Sequence, residues 1–353
     1  MGNLVVTTPG FLAALTALAT FCGGLSVRRW IRRRPVSASV LTVAAVVVTL
    51  LTVADFVNAH YEYAPQVRDV ADVAFPGVAY QSLSKTDLAR GMAHPHGGVV
   101  RIALPDGNDG FGRSHELVYL PQEYFTSTAP LPVVYLLHGS PGSAEDWFRA
   151  AHAASVGARL DRLGEPTIFV APAMSRYWTQ DTECVDGANL RAESHLLDVV
   201  IPTTERELRV RTDREGRTVA GNSAGGFCAL NIGLRHRDEF GTIVDLSGFT
   251  RPTYGGGLAK LFGGPSADLD ARIRANSPDV YAPALPPGPP VRIWLDAGRS
   301  DHGSESQEAA LAQRIGGRPD LTVKLVTRPG AHTYGVWRPA LRDALVWAEA
   351  RQV

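Results

Sequence analysis

The stretch "TVAGNSAGGF" (218–227) places Ser223 where a short apolar run ends and a helical pattern begins. A serine hydroxyl attacks well only when a base accepts its proton and nearby donors stabilise the resulting oxyanion. The pattern Gly221-x-Ser223-x-Gly225 between a strand and a helix is typical of a nucleophile elbow. The same residues also fit a serine that caps a helix, so the nucleophile interpretation depends on suitable partners elsewhere in the chain.

A base and an acid follow in the order found in α/β-hydrolases. "VTRPGAHTYGVW" (326–337) places His332 in a loop directly after the last predicted strand, where it is expected to act as the base. "IWLDAGRSDHG" (293–303) offers Asp296 and Asp301. Asp301 lies in the loop beyond the strand and is the expected acid. Asp296 lies within the strand pattern, which favours a structural role.

An oxyanion hole is expected in "YLLHGSPGS" (135–143), a Gly-rich turn after a buried strand. The expected donors are the backbone N–H groups of Ser140 and of Ala224, the residue after the nucleophile. His138 is expected to be a turn residue or part of the substrate wall. Trp147 could line an acyl groove or belong to the core.

Short β-rich runs recur along the chain and alternate with helical patterns in its later part. The strands are predicted at 99–104, 116–120, 133–138, 167–171, 217–222, 242–247, 291–296 and 321–326. The helices are predicted at 144–160, 190–208, 224–236, 304–315 and 336–350. This alternation predicts an α/β fold with a mostly parallel eight-stranded sheet flanked by helices, antiparallel at its N-terminal edge.

Two segments depart from this rhythm. Residues 249–290 are rich in Gly and Pro, and we expect a cap-like insertion in the 97–353 domain. Residues 59–96 are a mixed connector that ends in "HPHGG". His94 and His96 have no third ligand spaced near them, so a solvated loop is expected rather than a metal site. We expect neither a metal nor an organic cofactor.

Residues 1–58 contain two long apolar runs, 9–27 and 36–57, separated by "RRWIRRRP". Nineteen helical residues span about 28 Å, close to the hydrocarbon thickness of a bilayer. The arginine cluster is expected on the cytoplasmic side, so the chain after residue 58 would lie outside the membrane. A signal peptide and a buried helical hairpin are the alternatives. Whether Asp55, near the end of the second run, has a role in the membrane is open.

The chain has 35 basic and 35 acidic residues among 353, so its overall charge does not indicate a nucleic-acid partner. Its three cysteines are Cys22, in the first apolar run, and Cys184 and Cys228 in the later part. An extracytoplasmic location would allow a disulfide between the last two, and two buried free thiols are the alternative.

The chain resembles the putative esterase family of α/β-hydrolases, which includes esterase D and the antigen 85 mycolyltransferases. The resemblance covers about residues 97–350, and it rests on "ELVYLPQEYFTSTAPLPVVYLLHGSPGSAEDW", "RTVAGNSAGGFCAL", "WLDAGRSDHG" and "PGAHTYGVWRPAL". It implies Ser223 as nucleophile, Asp301 as acid and His332 as base, with Ser140 and Ala224 as oxyanion donors. His138 and Pro141 stand where the mycolyltransferases carry a trehalose-binding aspartate and arginine, so trehalose transfer is not implied.

Three functions are compatible with these patterns. The first is a membrane-anchored, extracytoplasmic serine esterase that forms an acyl-enzyme. The second is an acyltransferase that passes a lipid acyl group to a sugar or lipid hydroxyl. The third is a membrane-anchored binding protein that keeps a hydrolase fold without the chemistry.

Overall fold

The computed structural model describes residues 5–64, 81–82, 98–188 and 190–349. Contacts between Cα atoms divide the chain into two compact units, Met1–Ala79 and Tyr80–Val353. His94 and His96, which the sequence places in a connector, lie outside the described residues.

The first unit contains two antiparallel apolar helices, α1 (Pro9–Ile31) and α2 (Pro35–Tyr61). Their most apolar windows have mean hydropathies of 1.7 and 2.4 and are 6% buried. The Ser26 hydroxyl lies 2.7 Å from that of Thr42 and donates to the Ala38 carbonyl, so polar contacts join the helices near their connecting turn. In length and composition both helices could cross a membrane, and an N-terminal signal sequence would meet the same criteria.

A nine-stranded sheet forms the centre of the second unit, with the order β1-β2-β3-β5-β4-β6-β7-β8-β9. The strands are β1 (Gln81–Ser82), β2 (Gly98–Leu104), β3 (Ser114–Leu120), β4 (Val133–Leu137), β5 (Ile168–Pro172), β6 (Arg217–Asn222), β7 (Thr242–Leu246), β8 (Val291–Gly298) and β9 (Leu321–Arg328). β3 pairs antiparallel with β2 and β5, and all other neighbours are parallel. The eight predicted strands and the antiparallel edge are confirmed, and β1 adds a ninth, two-residue strand.

Helices and connecting segments cover both faces of the sheet. They are α3 (Glu123–Thr126), α4 (Ala144–Arg149), α5 (Ala153–Arg162), α6 (Ala192–Ser194), a π-helix (His195–Val200), α7 (Ile201–Glu207), α8 (Ala224–Arg235), α9 (Leu258–Leu261), α10 (Leu269–Ala275), α11 (Pro278–Tyr281), α12 (His302–Ile315) and α13 (Tyr334–Glu349). Every residue of β4, β6 and β7 is buried, which explains why the sequences of these strands are largely apolar.

Two predicted helices are interrupted. The helix predicted at 144–160 is divided into α4 and α5, because His152 adopts a left-handed backbone conformation with φ of 56°. The helix predicted at 190–208 contains the π-helical segment. At its start, the buried His195 ring lies 2.6 Å from Asp109 Oδ2 and stacks on Phe111.

The Gly- and Pro-rich region 249–290 contains three short helices, α9 to α11. Leu261 and Phe262 form a small apolar cluster with Val185 from the segment before α6. Arg272 donates hydrogen bonds to the carbonyls of Phe262 and Asp186. The insertion is therefore attached to the segment that carries Val185 and Asp186.

Candidate active site

Ser223 lies in the turn between β6 and α8, with φ of 56° and ψ of −124°. Few non-glycine residues adopt a positive φ, so this backbone is strained. A Cβ on Gly221 would lie 1.9 Å from the Gly225 carbonyl oxygen, and one on Gly225 would lie 2.0 Å from that of Leu137. The flanking glycines therefore allow the strand, the turn and the helix to approach closely enough to form the elbow.

Ser223, His332 and Asp301 lie in one hydrogen-bonded chain. The Oγ atom of Ser223 lies 2.7 Å from His332 Nε2. The Nδ1 atom of the same ring lies 2.7 Å from Asp301 Oδ2. A neutral imidazole that donates from Nδ1 to the carboxylate accepts the serine proton at Nε2. The segments that follow β6, β8 and β9 carry the hydroxyl, the acid and the base, respectively. Together they form the hydrogen-bonded chain that serine catalysis requires.

The charge on Asp301 is stabilised by its surroundings. Burial alone would raise the pKa of this carboxyl group, but the hydrogen bond and charge of His332, together with smaller contributions from Ser247 and Ser304, outweigh burial, so the pKa lies below its usual value. The backbone of Ser304, in the first turn of α12, acts in the same direction on this pKa. An ionised acid at this position holds the imidazole in one tautomer and stabilises the imidazolium formed during the reaction.

Asp296, the alternative acid, has different partners. Its carboxylate is fully buried in β8 and accepts hydrogen bonds from Arg328 Nε at 2.8 and 2.9 Å and from Trp294 Nε1 at 3.1 Å. Arg328 also contacts Asp343 on α13 at 2.8 Å. The structure therefore brings Asp301 to His332 and gives Asp296 an ion pair that joins β8, β9 and α13.

The turn after β4 packs directly against the elbow. A Cβ on Gly139 would lie 3.2 Å from the Cβ of Ser223, so this turn passes close to the candidate nucleophile. Ser140 follows it, and Ala224 opens α8. Neither N–H of these two residues has an acceptor among the loop and turn hydrogen bonds of the described residues. Both are thus available to donate to an oxyanion formed at Ser223.

His138 supports this turn instead of lining a substrate wall. The Met174 N–H donates to its Nε2 at 3.1 Å, so Nδ1 carries the proton and donates to the Gly139 carbonyl at 2.8 Å. Burial lowers the pKa of His138, which is consistent with a neutral ring. Because both nitrogens are occupied and the ring is buried, the structure favours the turn-residue role of the two alternatives that the sequence left open.

Trp147 is also buried in the core. Its side chain on α4 is 1% exposed and belongs to the largest fully buried side chains. The alternative interpretation as a core aromatic therefore fits the structure, and the acyl-groove interpretation does not. An amphipathic pattern alone does not distinguish these roles, because a large apolar side chain suits a groove and a core equally well.

Cys184 and Cys228 form a disulfide in the structure. Cys228 lies in α8, one turn after Ser223, and Cys184 lies in the segment before α6. The bond fixes that segment to the helix that follows the candidate nucleophile. Cys22 is a free thiol. In the described ranges, no group of three His, Cys, Asp or Glu side chains is arranged to hold a metal ion.

The base has an aromatic support that the sequence patterns did not predict. Trp337, on the first turns of α13, contacts the His332 ring edge to face at 4.9 Å between ring centroids and is itself buried. Tyr334 packs against the same indole. The signal lies in "HTYGVW", where two aromatic residues three positions apart share one helix face directly after the histidine.

The sequence matches the family described as "Putative esterase" over residues 112–348. It is 26% identical over 328 residues to an uncharacterised protein of Corynebacterium glutamicum, covering 88% of this chain and 76% of that protein. It is 28% identical over 205 residues to an esterase of Mycobacterium tuberculosis, covering 52% of this chain and 42% of that protein.

Among solved structures, an S-formylglutathione hydrolase from Agrobacterium tumefaciens has the same fold, with a TM-score of 0.61 and 16% identity. The alignment covers 73% of this chain and 96% of that one. The matched region of the mycobacterial esterase is less than half of its length, so its remaining part has no counterpart in this alignment. The chain belongs to the putative esterase family of α/β-hydrolases and is a carboxylic ester hydrolase.

Proposed function

We propose that this protein hydrolyses carboxylic esters through an acyl-enzyme on Ser223. The observation that carries the proposal is the continuous hydrogen-bonded chain Ser223–His332–Asp301, with both contacts at 2.7 Å. His332 accepts the Ser223 proton as the hydroxyl attacks the ester carbonyl, and the N–H groups of Ser140 and Ala224 stabilise the oxyanion. His332 then donates that proton to the departing alcohol, and water releases the acid by the reverse sequence.

The accessibility of the base supports water as the second attacking group. The side chain of His332 is 32% exposed, so water reaches the imidazole that would activate it. Transfer to another hydroxyl compound uses the same acyl-enzyme and differs only in the final acceptor. Product analysis with an alcohol added to the assay distinguishes the two, since transfer yields a new ester and hydrolysis yields only the free acid.

The test of hydrolysis compares Ser223→Ala with Ser306→Ala, which changes an exposed serine on α12 whose hydroxyl donates to the Gly303 carbonyl at 3.2 Å. We expect Ser223→Ala to reduce turnover of p-nitrophenyl butyrate by about 10³-fold or more, because the nucleophile is lost. Ser306→Ala should retain the activity of the unmodified protein. Equal turnover by the two variants would exclude Ser223 as the nucleophile.

We also propose that α1 and α2 anchor the enzyme in a membrane, with the esterase domain on the extracytoplasmic side. Two observations support this orientation. The arginine cluster at 28–34 favours the cytoplasmic face for the turn between the helices. The Cys184–Cys228 disulfide suits an oxidising compartment. Both termini of the hairpin would then face outward.

Reporter fusions test the orientation. Alkaline phosphatase, which is active only outside the cytoplasm, should be active when fused after residue 64 and inactive when fused after Arg33. The opposite pattern of phosphatase activity would show that the esterase domain lies on the cytoplasmic side. Release of the unfused chain from membranes by alkaline carbonate would show that the helices do not span the bilayer.

A further inference from the structure

The end of β7 contacts two members of the candidate triad. The Leu246 carbonyl accepts the Ser223 N–H at 2.9 Å. The next residue, Ser247, is fully buried, and its side chain lowers the pKa of the acid Asp301. The Ser247 N–H donates to the Asp296 carbonyl at 2.9 Å, which joins this point to β8. The position of the chain at the end of β7 therefore affects both the nucleophile and the acid.

Residues 247–250 follow β7 and form the β7 loop, which α12 holds in place. Ser247 has a φ of 57°, an unfavourable backbone conformation for a residue with a side chain. The Ser304 hydroxyl donates to the Ser247 carbonyl at 3.0 Å. The side-chain oxygen of Gln307 accepts the Thr250 N–H at 3.0 Å and the Thr250 hydroxyl at 3.2 Å. Two side chains of α12 thus fix both ends of the β7 loop.

Two carboxyl groups at the β7 loop, those of Asp245 and Glu308, are fully buried. Asp245 Oδ1 accepts the Gly248 N–H at 2.7 Å. A Cβ on Gly248 would lie 2.2 Å from this oxygen, and one on Gly226 of α8 would lie 2.3 Å from it. The Gly248 N–H also lowers the pKa of Glu308 on α12, so both side chains lie at the same loop. These two residues, the carboxyl pair, connect β7 and α12 to the backbone of the β7 loop.

The carboxyl pair is uncharged at neutral pH. Among the described residues, Asp245 Oδ2 and both Glu308 oxygens are buried without a hydrogen-bond partner. Burial raises the pKa of Asp245, and the charge of Asp301 raises it further. Burial, followed by the charges of Asp245, Asp296 and Asp301, raises the pKa of Glu308. Asp296 and Asp301 have the basic partners described above and stay ionised, so the carboxyl pair keeps its protons.

The stability of the core does not account for the carboxyl pair. Buried oxygens without partners lose the hydrogen bonds that water provides, which is unfavourable. Apolar side chains of similar volume avoid this loss. The contact from Gly248 to Asp245, however, gives an acceptor to the backbone of a strained loop that touches the triad. A role in holding this loop explains polar side chains at these two positions.

We propose that Asp245 and Glu308 are positioning residues, which hold the β7 loop in the conformation that the triad requires. The loop then places the nucleophile through the Leu246 carbonyl and the acid through the Ser247 side chain. Because the carboxyl pair is fully buried, it acts through the loop and not on the substrate. The inference rests on the proposed function, since the loop positions the residues to which hydrolysis is assigned.

The experiment compares apolar with amide replacements of the carboxyl pair. Asp245→Leu and Glu308→Leu should each lower kcat for p-nitrophenyl butyrate, per folded molecule, by about tenfold or more, with KM changed by less than about twofold. Asp245→Asn and Glu308→Gln keep an uncharged polar group of the same shape. Each should have a kcat at least about fivefold above that of the matching Leu variant.

The matched control is Glu116→Leu, which replaces a fully buried carboxyl group on β3. It should keep the kcat of the parent protein per folded molecule, because the β7 loop is unchanged.

The free energy of unfolding separates positioning from a purely structural role. Glu308→Leu removes no hydrogen bond found among the described residues and no longer buries two unpartnered oxygens. Urea denaturation should therefore show a stability equal to or above that of the parent protein, although kcat is lower. If Asp245→Leu does not fold, Glu308→Leu and Glu308→Gln decide the test.

Three results would overturn the positioning role. They are a kcat of Glu308→Leu within about twofold of the parent value, a loss of activity that only follows loss of folded protein, and equal kcat in the Leu and amide variants. With Ser223→Ala inactive, any of these results leaves the proposed function intact. If Ser223→Ala hydrolysed the ester like the unmodified protein, the proposed function itself would fail.

Discussion

Asp301 Oδ2 lies 2.7 Å from Nδ1 of His332, on the side of the ring opposite to the Ser223 hydroxyl. Asp296, five residues earlier, lies within β8, is buried in the core and pairs with Arg328. The two carboxylates of this short segment thus have different roles. One acts on the imidazole, and the other joins β8 to β9.

Replacement of Asp301 by Asn should lower kcat by about 10³- to 10⁴-fold, because an amide no longer fixes the productive imidazole tautomer or stabilises the imidazolium. Asp296→Asn is the matched control. It removes a buried charge partner of Arg328 and should lower the free energy of unfolding by about 3 kcal/mol. Denaturant titration and kcat per folded molecule separate the two effects. Equal loss of kcat in both variants would contradict the assignment.

Stability should fall as the pH rises because of Glu116, a fully buried residue of β3. Burial raises the pKa of this carboxyl group from 4.5 to about 8, while a hydrogen bond from Thr204 opposes the shift. Between these values the unfolded chain releases the Glu116 proton and the folded chain retains it. The free energy of unfolding therefore decreases through this range.

Glu116→Gln keeps the shape of the side chain and removes its titration. We expect the stability of Glu116→Gln relative to the unmodified protein to increase between pH 5 and pH 8, as measured by urea denaturation. Ser306→Ala, which changes an exposed residue without removing a titratable group, should show no such trend. A constant difference between Glu116→Gln and the parent at both pH values would show that Glu116 ionises alike in the folded and unfolded states.

The disulfide should contribute substantially to stability. Cys184 and Cys228 are separated by 44 positions, and closing a loop of this length is worth about 3–4 kcal/mol in the chain-entropy estimate. Thermal unfolding should shift to lower temperature when a reductant is added. The double variant Cys184→Ala/Cys228→Ala should unfold at this lower temperature with or without reductant. Identical transitions of the parent protein in both conditions would contradict a stabilising bond.

Much of the fold follows from local patterns. The central strands β4, β6 and β7 are buried along their whole length because both faces of the sheet are covered there, and their largely apolar sequences are visible in the chain. The candidate triad could be predicted for a related reason. Ser223, Asp301 and His332 each follow the carboxyl end of a parallel strand, and these ends meet at one edge of the sheet.

Other features depend on packing that no local pattern records. The burial of His138 and Trp147 follows from contacts with distant segments, such as the Met174 N–H that occupies the histidine ring. Asp181 and Lys260 are 79 positions apart, and the insertion brings them to one recess. The left-handed backbone at His152 divides a predicted helix although no glycine or proline marks the break.

The most direct test of the account is the site of covalent labelling. Incubation of the full chain with a fluorophosphonate, followed by intact mass and peptide mapping, should show one adduct on the peptide that contains Ser223. Ser223→Ala should acquire no adduct, and Asp301→Asn should be labelled much more slowly. An adduct on a different residue, or equal labelling of the Ser223→Ala protein, would contradict the assignment of Ser223 as the nucleophile.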